Sequence, residues 1–263
     1  MGGMEIGERN NVWFKIGSII QIPRFPRIPN NIFIHNNMTK MFDTRSYTTF
    51  ATALFDIEVE NIIIEPPIDY VGLDIGSCEG IDADKIANKY PGGKIIRVDP
   101  SSTREDTIKI DGEEFIQTTK EQYDFIIVKY AIHYFQSRTT FIKNCIKTIK
   151  PGGKLYIFTT SPQSNFPWSQ QFQRDFEKTC VIIPNFSPNR IINGYWQNAQ
   201  IRKNTQLCKI DFANLIKFRG ISNLYQYSKE EIADELYRIE HTTDEYCMIE
   251  LVIDQIIFHK KLI

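Results

Sequence analysis

The chain has 263 residues, of which 42 % are hydrophobic and 24 % charged, and its formal net charge at pH 7 is −1. This length can bury the core of one large domain, and the near-zero charge argues against the general basic field that drives nucleic-acid binding. Five scattered cysteines without a C-x-x-C pair argue against a zinc site or a disulfide framework, so we expect no metal and a cytoplasmic location. No apolar run approaches the roughly 20 residues that span a bilayer, so we expect no membrane partner.

The first part of the chain is predicted to be an arm followed by a helix. The segment IPRFPRIPNN, residues 22–31, cannot be a helix or a central strand because proline lacks the backbone N–H. Residues 44–63 have apolar side chains at helical spacing, and Pro66 must end this helix. We therefore expect residues 1–65 to form an N-terminal arm and a helical lid.

Short apolar strands then alternate with helices. Strands are predicted at residues 70–75, 94–99, 106–111, 123–130, 154–160, 205–212 and 247–261. Helices are predicted at residues 80–90, 138–150, 189–200 and 229–239. This alternation indicates an α/β protein whose parallel sheet is covered by helices on both faces.

The carboxyl-terminal part departs from strict alternation. Ser228 and Glu231 have the spacing of a capping box, which predicts where the last helix begins. The last strand follows that helix without a crossover helix of its own, so we expect it to lie antiparallel on the sheet. Residues 66–263 thus form the predicted core, with an aromatic, proline-containing insertion at about residues 161–200.

A glycine turn follows the first predicted strand in the segment LDIGSCEG. A dinucleotide fingerprint that started at Gly76 would need glycine at Cys78 and Ile81, and a P-loop would need G-K-[ST], so neither motif is present. Gly76 and Gly80 could simply form a tight turn, as isolated glycines often do. If they approach a ligand, that ligand is not expected to present a pyrophosphate.

Three acidic residues lie at or near the ends of three successive predicted strands. Asp99 can accept hydrogen bonds from ribose hydroxyls, as acids at this place do in nucleotide-binding α/β folds. Asp74 lies one residue before the turn, where a carboxylate would repel a phosphate and suits an ammonium group, and Asp111 can face the edge of an adenine amine. A nucleoside with a cationic amino-acid tail fits all three, and S-adenosylmethionine is such a ligand.

These segments resemble the class I S-adenosylmethionine-dependent methyltransferases. The five similar segments, in order and at suitable spacing, are LDIGSCEG, VDPSS, IDGEEF, YDFIIVKYAIHYF and IKPGGKLYIFTT. The resemblance covers residues 40–160 and resumes at 200–261. It implies a Rossmann-like seven-stranded sheet, mostly parallel with an antiparallel last strand, and S-adenosylmethionine as the cofactor.

The resemblance also implies which residues bind the cofactor. The family commonly has glycine at Cys78, and a left-handed conformation there would cost about 1–2 kcal/mol. Arg45-Ser46-Tyr47 resembles a segment that closes over the methionine end of the cofactor, although a solvated helix start explains it equally well. Lys129 either binds an anionic acceptor or reaches solvent. The residues expected to bind the cofactor are Asp74, Gly76, Ser77, Gly80, Asp99, Asp111, Gly112, Lys129 and Arg45.

His133 is the candidate catalytic base. It lies just past the fourth predicted strand, where acceptors bind in this fold. The alternative is a structural imidazole packed beside Tyr134 and Phe135. Several aromatic residues outside the predicted core could wall an acceptor pocket or simply pack: Trp13, Trp168, Tyr195 and Trp196.

Three hypotheses for the acceptor remain open. Messenger-RNA cap guanine-N7 methyltransferases have segments that are loosely similar to NNVWFKIGSII, AIHYFQS and TTSP of this chain. This similarity would make capped RNA the partner. The stretch from Phe212 to Ile239 resembles small-molecule methyltransferases of the trans-aconitate type, and we favour a small organic acceptor. The third hypothesis is an inactive scaffold or partner subunit that binds the cofactor, motivated by Cys78. The acceptor atom and the oligomeric state do not follow from the sequence.

Overall fold

The computed structural model describes residues 54, 56–63, 65–180, 194–217, 222–242 and 244–262. Its strands are β1 (Val71–Ile75), β2 (Lys94–Val98), β3 (Thr107–Ile108), β4 (Tyr123–Lys129), β5 (Ile149–Thr160), β6 (Gly194–Cys208) and β7 (Tyr246–Lys260). Its α-helices are α1 (Val59–Ile62), α2 (Ile81–Lys89), α3 (Gly112–Thr118), α4 (Arg138–Thr148), α5 (Gln170–Thr179), α6 (Lys209–Lys217) and α7 (Lys229–Glu240). Short 3₁₀ turns occupy Ile132–Tyr134 and Ser222–Gln226. None of the helices in these ranges is long and apolar enough to cross a membrane.

The described strands form one seven-stranded sheet in the order β3-β2-β1-β4-β5-β7-β6. Strands β1 to β5 pair in parallel, whereas β7 runs antiparallel to both β5 and β6. The predicted Rossmann-like sheet with an antiparallel last strand is therefore confirmed.

Alternate residues of each central strand point to opposite faces of the sheet. Phe125 and Ile127 of β4 join one buried cluster with side chains of α2, α5, α6 and α7. Ile126 and Val128 join a second cluster with side chains of α3 and α4. Both faces are covered, which explains why the strands read as continuous apolar runs.

The prediction of a helix at residues 189–200 is wrong where the structure describes it. Gly194–Cys208 is a strand that pairs with β7 along its whole length, from Gly194 opposite Lys260 to Cys208 opposite Tyr246. Cross-strand pairing over this distance outweighs local propensity. Residues 194–200, which the expected insertion included, therefore belong to the sheet.

Several further boundaries differ from the sequence-based expectation. The strand expected at residues 106–111 covers only Thr107–Ile108, and the one expected at 154–160 begins at Ile149. The strand expected at residues 205–212 ends at Cys208, and α6 begins at Lys209 because its apolar residues Phe212, Leu215 and Ile216 recur at helical spacing. In the expected helix at 44–63, Asp56 to Glu58 are not helical and α1 covers only Val59–Ile62. Residues 44–53 lie outside the described ranges.

The carboxyl ends of the parallel strands meet at one edge of the sheet. Ile75 of β1 is in register with Val98 of β2 and with Val128 of β4. The residues that follow these strands are therefore brought together. At the far end of the chain the predicted capping box is present, with Ser228 and Glu231 bonded reciprocally at the start of α7.

Candidate active site

The turn between β1 and α2 has a left-handed backbone at three positions. Gly76, Cys78 and Gly80 have φ angles of 74°, 50° and 69°. The Gly76 N–H donates to the Val98 carbonyl at 2.8 Å, which holds the turn against β2. A Cβ at Gly76 would lie 2.3 Å from the Cβ of Ala131, so only glycine allows this close approach to the loop after β4.

Cys78 adopts the left-handed backbone conformation that the sequence analysis expected to cost free energy at this position. For a residue with a side chain, this conformation costs about 1–2 kcal/mol. The Cys78 N–H donates to Asp99 Oδ2 at 2.9 Å, so the strained residue links the turn to the acid after β2. Burial and the nearby Asp99 raise the pKa of the Cys78 thiol to about 12, so this thiol is not a reactive nucleophile at neutral pH.

Asp99 is fixed at the end of β2 by its hydrogen bonds. Its Oδ1 accepts from the N–H and the hydroxyl of Ser101, at 2.8 and 2.6 Å, and its Oδ2 accepts from Cys78. The residue is only 7 % exposed. A carboxylate offers about four lone-pair positions, so Asp99 can still accept from a ligand hydroxyl.

Asp74, the last but one residue of β1, is almost completely buried. Burial, followed by the negative charge of Asp82, raises the pKa of its carboxyl to about 8. The positive charge of Lys129 opposes this shift but does not cancel it. Asp74 is therefore largely protonated at neutral pH in the ligand-free protein, and a cation placed beside it would favour the ionised form.

Lys129 at the end of β4 is paired with Asp82 at the start of α2. Its Nζ donates to both carboxylate oxygens at 2.9 and 2.8 Å, and the two side chains are 15 % and 18 % exposed. The sequence left open whether Lys129 binds an anionic acceptor or reaches solvent. In the structure Lys129 pairs with Asp82, and the pair ties β4 to the helix beyond the glycine turn.

Asp111 caps α3, a role that the sequence analysis did not assign to it. Its Oδ1 accepts from the N–H groups of Glu113 and Glu114 at 2.8 and 3.3 Å. Gly112 is confined for a packing reason, because a Cβ there would lie 2.4 Å from Cγ2 of Ile75. Asp111 and Gly112 nevertheless follow β3 at the same edge of the sheet as Asp99.

His133 lies in the 3₁₀ turn that follows β4. Its ring centroid is 3.9 Å from that of Tyr134, as the structural alternative expected. Its Nε2 is buried and has no hydrogen-bond partner within the described structure. Burial, with a smaller effect of the Arg138 charge, lowers the pKa of His133 to about 4, so the imidazole is neutral at physiological pH. The site thus holds a neutral ring nitrogen available to a ligand.

Ser77 provides a second polar atom without a partner. The residue is buried in the glycine turn, and its Oγ makes no hydrogen bond to any described group. A buried hydroxyl without a partner costs free energy, on the order of 1–3 kcal/mol. A ligand that reaches the turn could remove that cost by bonding to Ser77.

The N-terminal expectations lie outside the described residues. This applies to Arg45, to Trp13, and to the segments at 10–20 and 22–31. Trp168 is described, and it packs against Phe166 with the ring centroids 4.5 Å apart. Its indole N–H donates to Gln173 at 2.8 Å, which identifies it as part of the core.

For Tyr195 and Trp196 the sequence left open whether they wall an acceptor pocket or simply pack, and their place in the sheet favours packing. Tyr195 pairs with His259 of β7, which in turn pairs with Lys154 of β5. Lys154 is in register with Phe125 near the start of β4, so both aromatic residues lie at the opposite end of the sheet from the glycine turn. The long strand β6 carries them there, and no local pattern signals this pairing.

Sequence reasoning missed a group of charged side chains beside the glycine turn. The Arg104 guanidinium donates to Asp84 at 2.6 Å and to Asp106 at 2.8 Å, and Arg97 pairs with the same two acids. Arg104 also donates to the carbonyl of Glu79 within the turn at 3.2 Å. These charged residues belong to three different elements, so their pairing can be recognised only once the fold is known.

Comparisons with known proteins show the family to which the chain belongs. A family model described as a methyltransferase domain matches residues 49–208. Malonyl-[acyl-carrier protein] O-methyltransferase 2 of Ilyobacter polytropus is 24 % identical over 194 residues, which are 66 % of this chain and 73 % of that protein.

Solved structures are similar in fold at low identity. A candidate methyltransferase from Bacillus halodurans aligns over 78 % of this chain and 99 % of its own, with 13 % identity and a TM-score of 0.50. The plantazolicin methyltransferase BamL, in complex with a triazolic desmethylPZN analogue and SAH, aligns over 86 % of this chain and 89 % of its own, with 11 % identity and a TM-score of 0.45. The family model spans more than half of the chain, and the chain belongs to the S-adenosylmethionine-dependent methyltransferase family.

Proposed function

We propose that this enzyme transfers the methyl group to a small organic acceptor that binds beside His133. The observation that carries the proposal is the buried, neutral Nε2 of His133, which has no partner among the described residues and follows β4. A small acceptor with a polar atom at that point would satisfy the ring nitrogen. It would also approach the carboxyl edge of the sheet, where Asp74 and Asp99 lie.

The residues at this edge fit S-adenosylmethionine, the methyl donor of the family. When bound, this cofactor supplies a methyl group that its sulfonium already activates. Asp99 would accept from the ribose, and Asp74 would accept the cationic end of the methionine part. Ser77 would bond to the same part through its Oγ. The Ser77 hydroxyl, which has no hydrogen-bond partner among the described residues, and the buried Asp74 carboxyl thus suit a ligand that is both polar and cationic.

The protein's contribution to the reaction would be alignment. Orientation of two reactants can supply up to about 7–11 kcal/mol of a barrier, provided the reacting atoms are close and in line. A His133 with a pKa of about 4 is a weak base, so we propose that its ring nitrogen hydrogen-bonds the acceptor and orients it. An acceptor that is already unprotonated, such as a carboxylate, would need no base.

Two further observations favour a small acceptor over capped RNA. The formal net charge of −1 gives no general basic field. The curated relative is named as an O-methyltransferase of a malonyl group on acyl-carrier protein, which is a small organic acid on a carrier. Membership in the methyltransferase family also favours catalysis over the inactive scaffold.

An acceptor screen tests the proposal. The purified full chain would be incubated with S-adenosylmethionine and, side by side, with small organic acids, their thioesters and cap analogues, and methyl transfer would be followed by mass spectrometry. We expect turnover with members of the small-acid set. Turnover of cap analogues alone would overturn the proposal in favour of the RNA enzyme.

Replacing His133 by asparagine is expected to lower kcat about ten-fold, because the acceptor loses an orienting partner. Affinity for S-adenosylhomocysteine should stay within about two-fold, since His133 is not assigned to the cofactor. The same change at His259, which stacks on Tyr195 at the far end of the sheet, is the matched control. Unchanged kcat in His133→Asn would show that this ring only packs.

The domain organisation is also a proposal. We infer that residues 1–65 comprise an N-terminal arm and a helical lid and that Arg45 binds the methionine end of the cofactor, as the family resemblance implies. Replacing Arg45 by alanine should weaken S-adenosylhomocysteine and leave adenosine binding unchanged, because adenosine lacks the amino-acid tail. Equal weakening of both ligands would contradict this role.

A further inference from the structure

Three side chains tie the glycine turn to the loop that follows β2. Thr103 donates to the Glu79 carboxylate through its N–H at 3.3 Å and through its hydroxyl at 2.9 Å. Arg104 donates to the Glu79 carbonyl at 3.2 Å. Glu79 is therefore held at both its side chain and its backbone by two adjacent residues, and we call Glu79, Thr103 and Arg104 the loop clamp.

The loop clamp is itself anchored. Arg104 also donates to Asp84 at 2.6 Å and to Asp106 at 2.8 and 3.0 Å. Asp84 lies in the first turn of α2, so one guanidinium joins the glycine turn, the helix after it and the loop after β2. A planar guanidinium has five donors and suits such a junction, which a lysine could not reproduce.

The residue that precedes Glu79 explains why such an anchor is needed. Cys78 has a φ of 50°, a backbone conformation that glycine adopts freely and other residues avoid. Such a conformation persists only where the surroundings fix it. On one side the Cys78 N–H donates to Asp99, and on the other side the loop clamp holds Glu79.

We propose that Glu79, Thr103 and Arg104 are positioning residues that keep Cys78 in its left-handed conformation and so preform the cofactor-binding turn. Without the clamp, Cys78 would relax, and its N–H would no longer orient the Asp99 carboxylate. The bound cofactor would then have to restore the turn, and its affinity would fall. Glycine at position 78 would adopt the left-handed conformation freely, so the loop clamp would contribute less to cofactor affinity.

The inference rests on the proposed placement of the cofactor at this turn, and its failure can be told apart from a failure of that placement. The placement fails if changing Asp99 leaves cofactor affinity unchanged. The clamp proposal fails by itself if Asp99 matters for affinity but the clamp and position 78 act independently.

The test is a double-mutant cycle measured by calorimetric titration with S-adenosylhomocysteine. Glu79→Ala is expected to weaken binding about five-fold in the wild-type chain, and less than about two-fold when Cys78→Gly is also present. Glu121→Ala is the matched control, because Glu121 is an exposed carboxylate paired with Lys94 at the opposite end of β2. That control should leave affinity unchanged in both backgrounds.

If Glu79→Ala lowers the stability of the protein, a variant with a smaller structural change still tests the proposal. Thr103→Val removes only the hydroxyl donor, whose bond to Glu79 is 2.9 Å, and it should show the same dependence on position 78 with a smaller loss. Equal losses of affinity in both backgrounds, for either variant, would overturn the proposal. A purely structural clamp would lower the melting temperature in both backgrounds and show no coupling in cofactor affinity.

Discussion

Asp99→Ala is expected to weaken S-adenosylhomocysteine binding by about ten- to hundred-fold, because hydrogen bonds to a charged acceptor contribute about 1.5–3 kcal/mol. The carboxylate is buried, and its three existing bonds point it to the carboxyl edge of the sheet. Removing it would delete the proposed ribose acceptor and also free the Cys78 N–H. Calorimetric titration of the folded variant measures the loss directly.

Adenosine is the informative second ligand for this variant. It carries the ribose without the amino-acid tail, so Asp99→Ala should weaken adenosine and S-adenosylhomocysteine by similar factors. Asp124→Ala is a matched control, because Asp124 also accepts a backbone N–H, that of Val71 at 2.7 Å, but at the other end of the sheet. If folded Asp99→Ala bound as tightly as the wild type, the assignment of this edge as the cofactor site would be wrong.

The elements that sequence reasoning predicted well are those with local signals. Strands β1, β2 and β4 are short apolar runs, with glycine after β1 and before β2, and the structure confirms each within one or two residues. The glycine turn, the acid near the end of β1 and the acid after β2 follow directly from those boundaries. Their position at one edge of the sheet was predictable because parallel strands end on the same side.

What the sequence could not provide depends on partners that are distant in the chain. Strand β6 exists because β7 pairs with it; residues 194–200, read alone, suggested a helix, and only the end of the strand from residue 205 was predicted. Lys129 was expected to bind the cofactor or an anionic acceptor, or to reach solvent, because nothing local indicates that Asp82 lies opposite it. Asp111 likewise could be seen as a strand-ending acid, but its capping of α3 depends on where that helix begins.

The protonation of Asp74 is expected to control cofactor affinity between pH 6 and 8.5. Its pKa is raised to about 8 by burial, so ionising it for the cofactor's ammonium group costs free energy at lower pH. S-adenosylhomocysteine should therefore bind on the order of fifty- to hundred-fold more tightly at pH 8.5 than at pH 6. Adenosine, which has no ammonium group, should show little dependence on pH.

Asp74→Asn separates this effect from other titrations. The variant cannot ionise, so its affinity should be weak and nearly independent of pH, whereas that of the wild type rises. A wild-type profile that is as flat as that of Asp74→Asn would contradict the role of Asp74. Titrations of both proteins with both ligands at four or five pH values are sufficient.

The same raised pKa fixes the sign of a stability effect in the ligand-free protein. The pKa of the Asp74 carboxyl is 3.8 in the unfolded chain and about 8 in the folded protein. Between these two pH values the folded state holds a proton that the unfolded state has lost. The contribution of Asp74 to stability is therefore complete below pH 3.8 and is lost as the pH rises to about 8, at up to about 1.4 kcal/mol per pH unit. Urea unfolding should show that the free energy of unfolding falls more between pH 5 and pH 8 for the wild type than for Asp74→Asn. Adding S-adenosylhomocysteine should reduce that difference, because the ligand's cation stabilises the ionised carboxylate that the empty site disfavours.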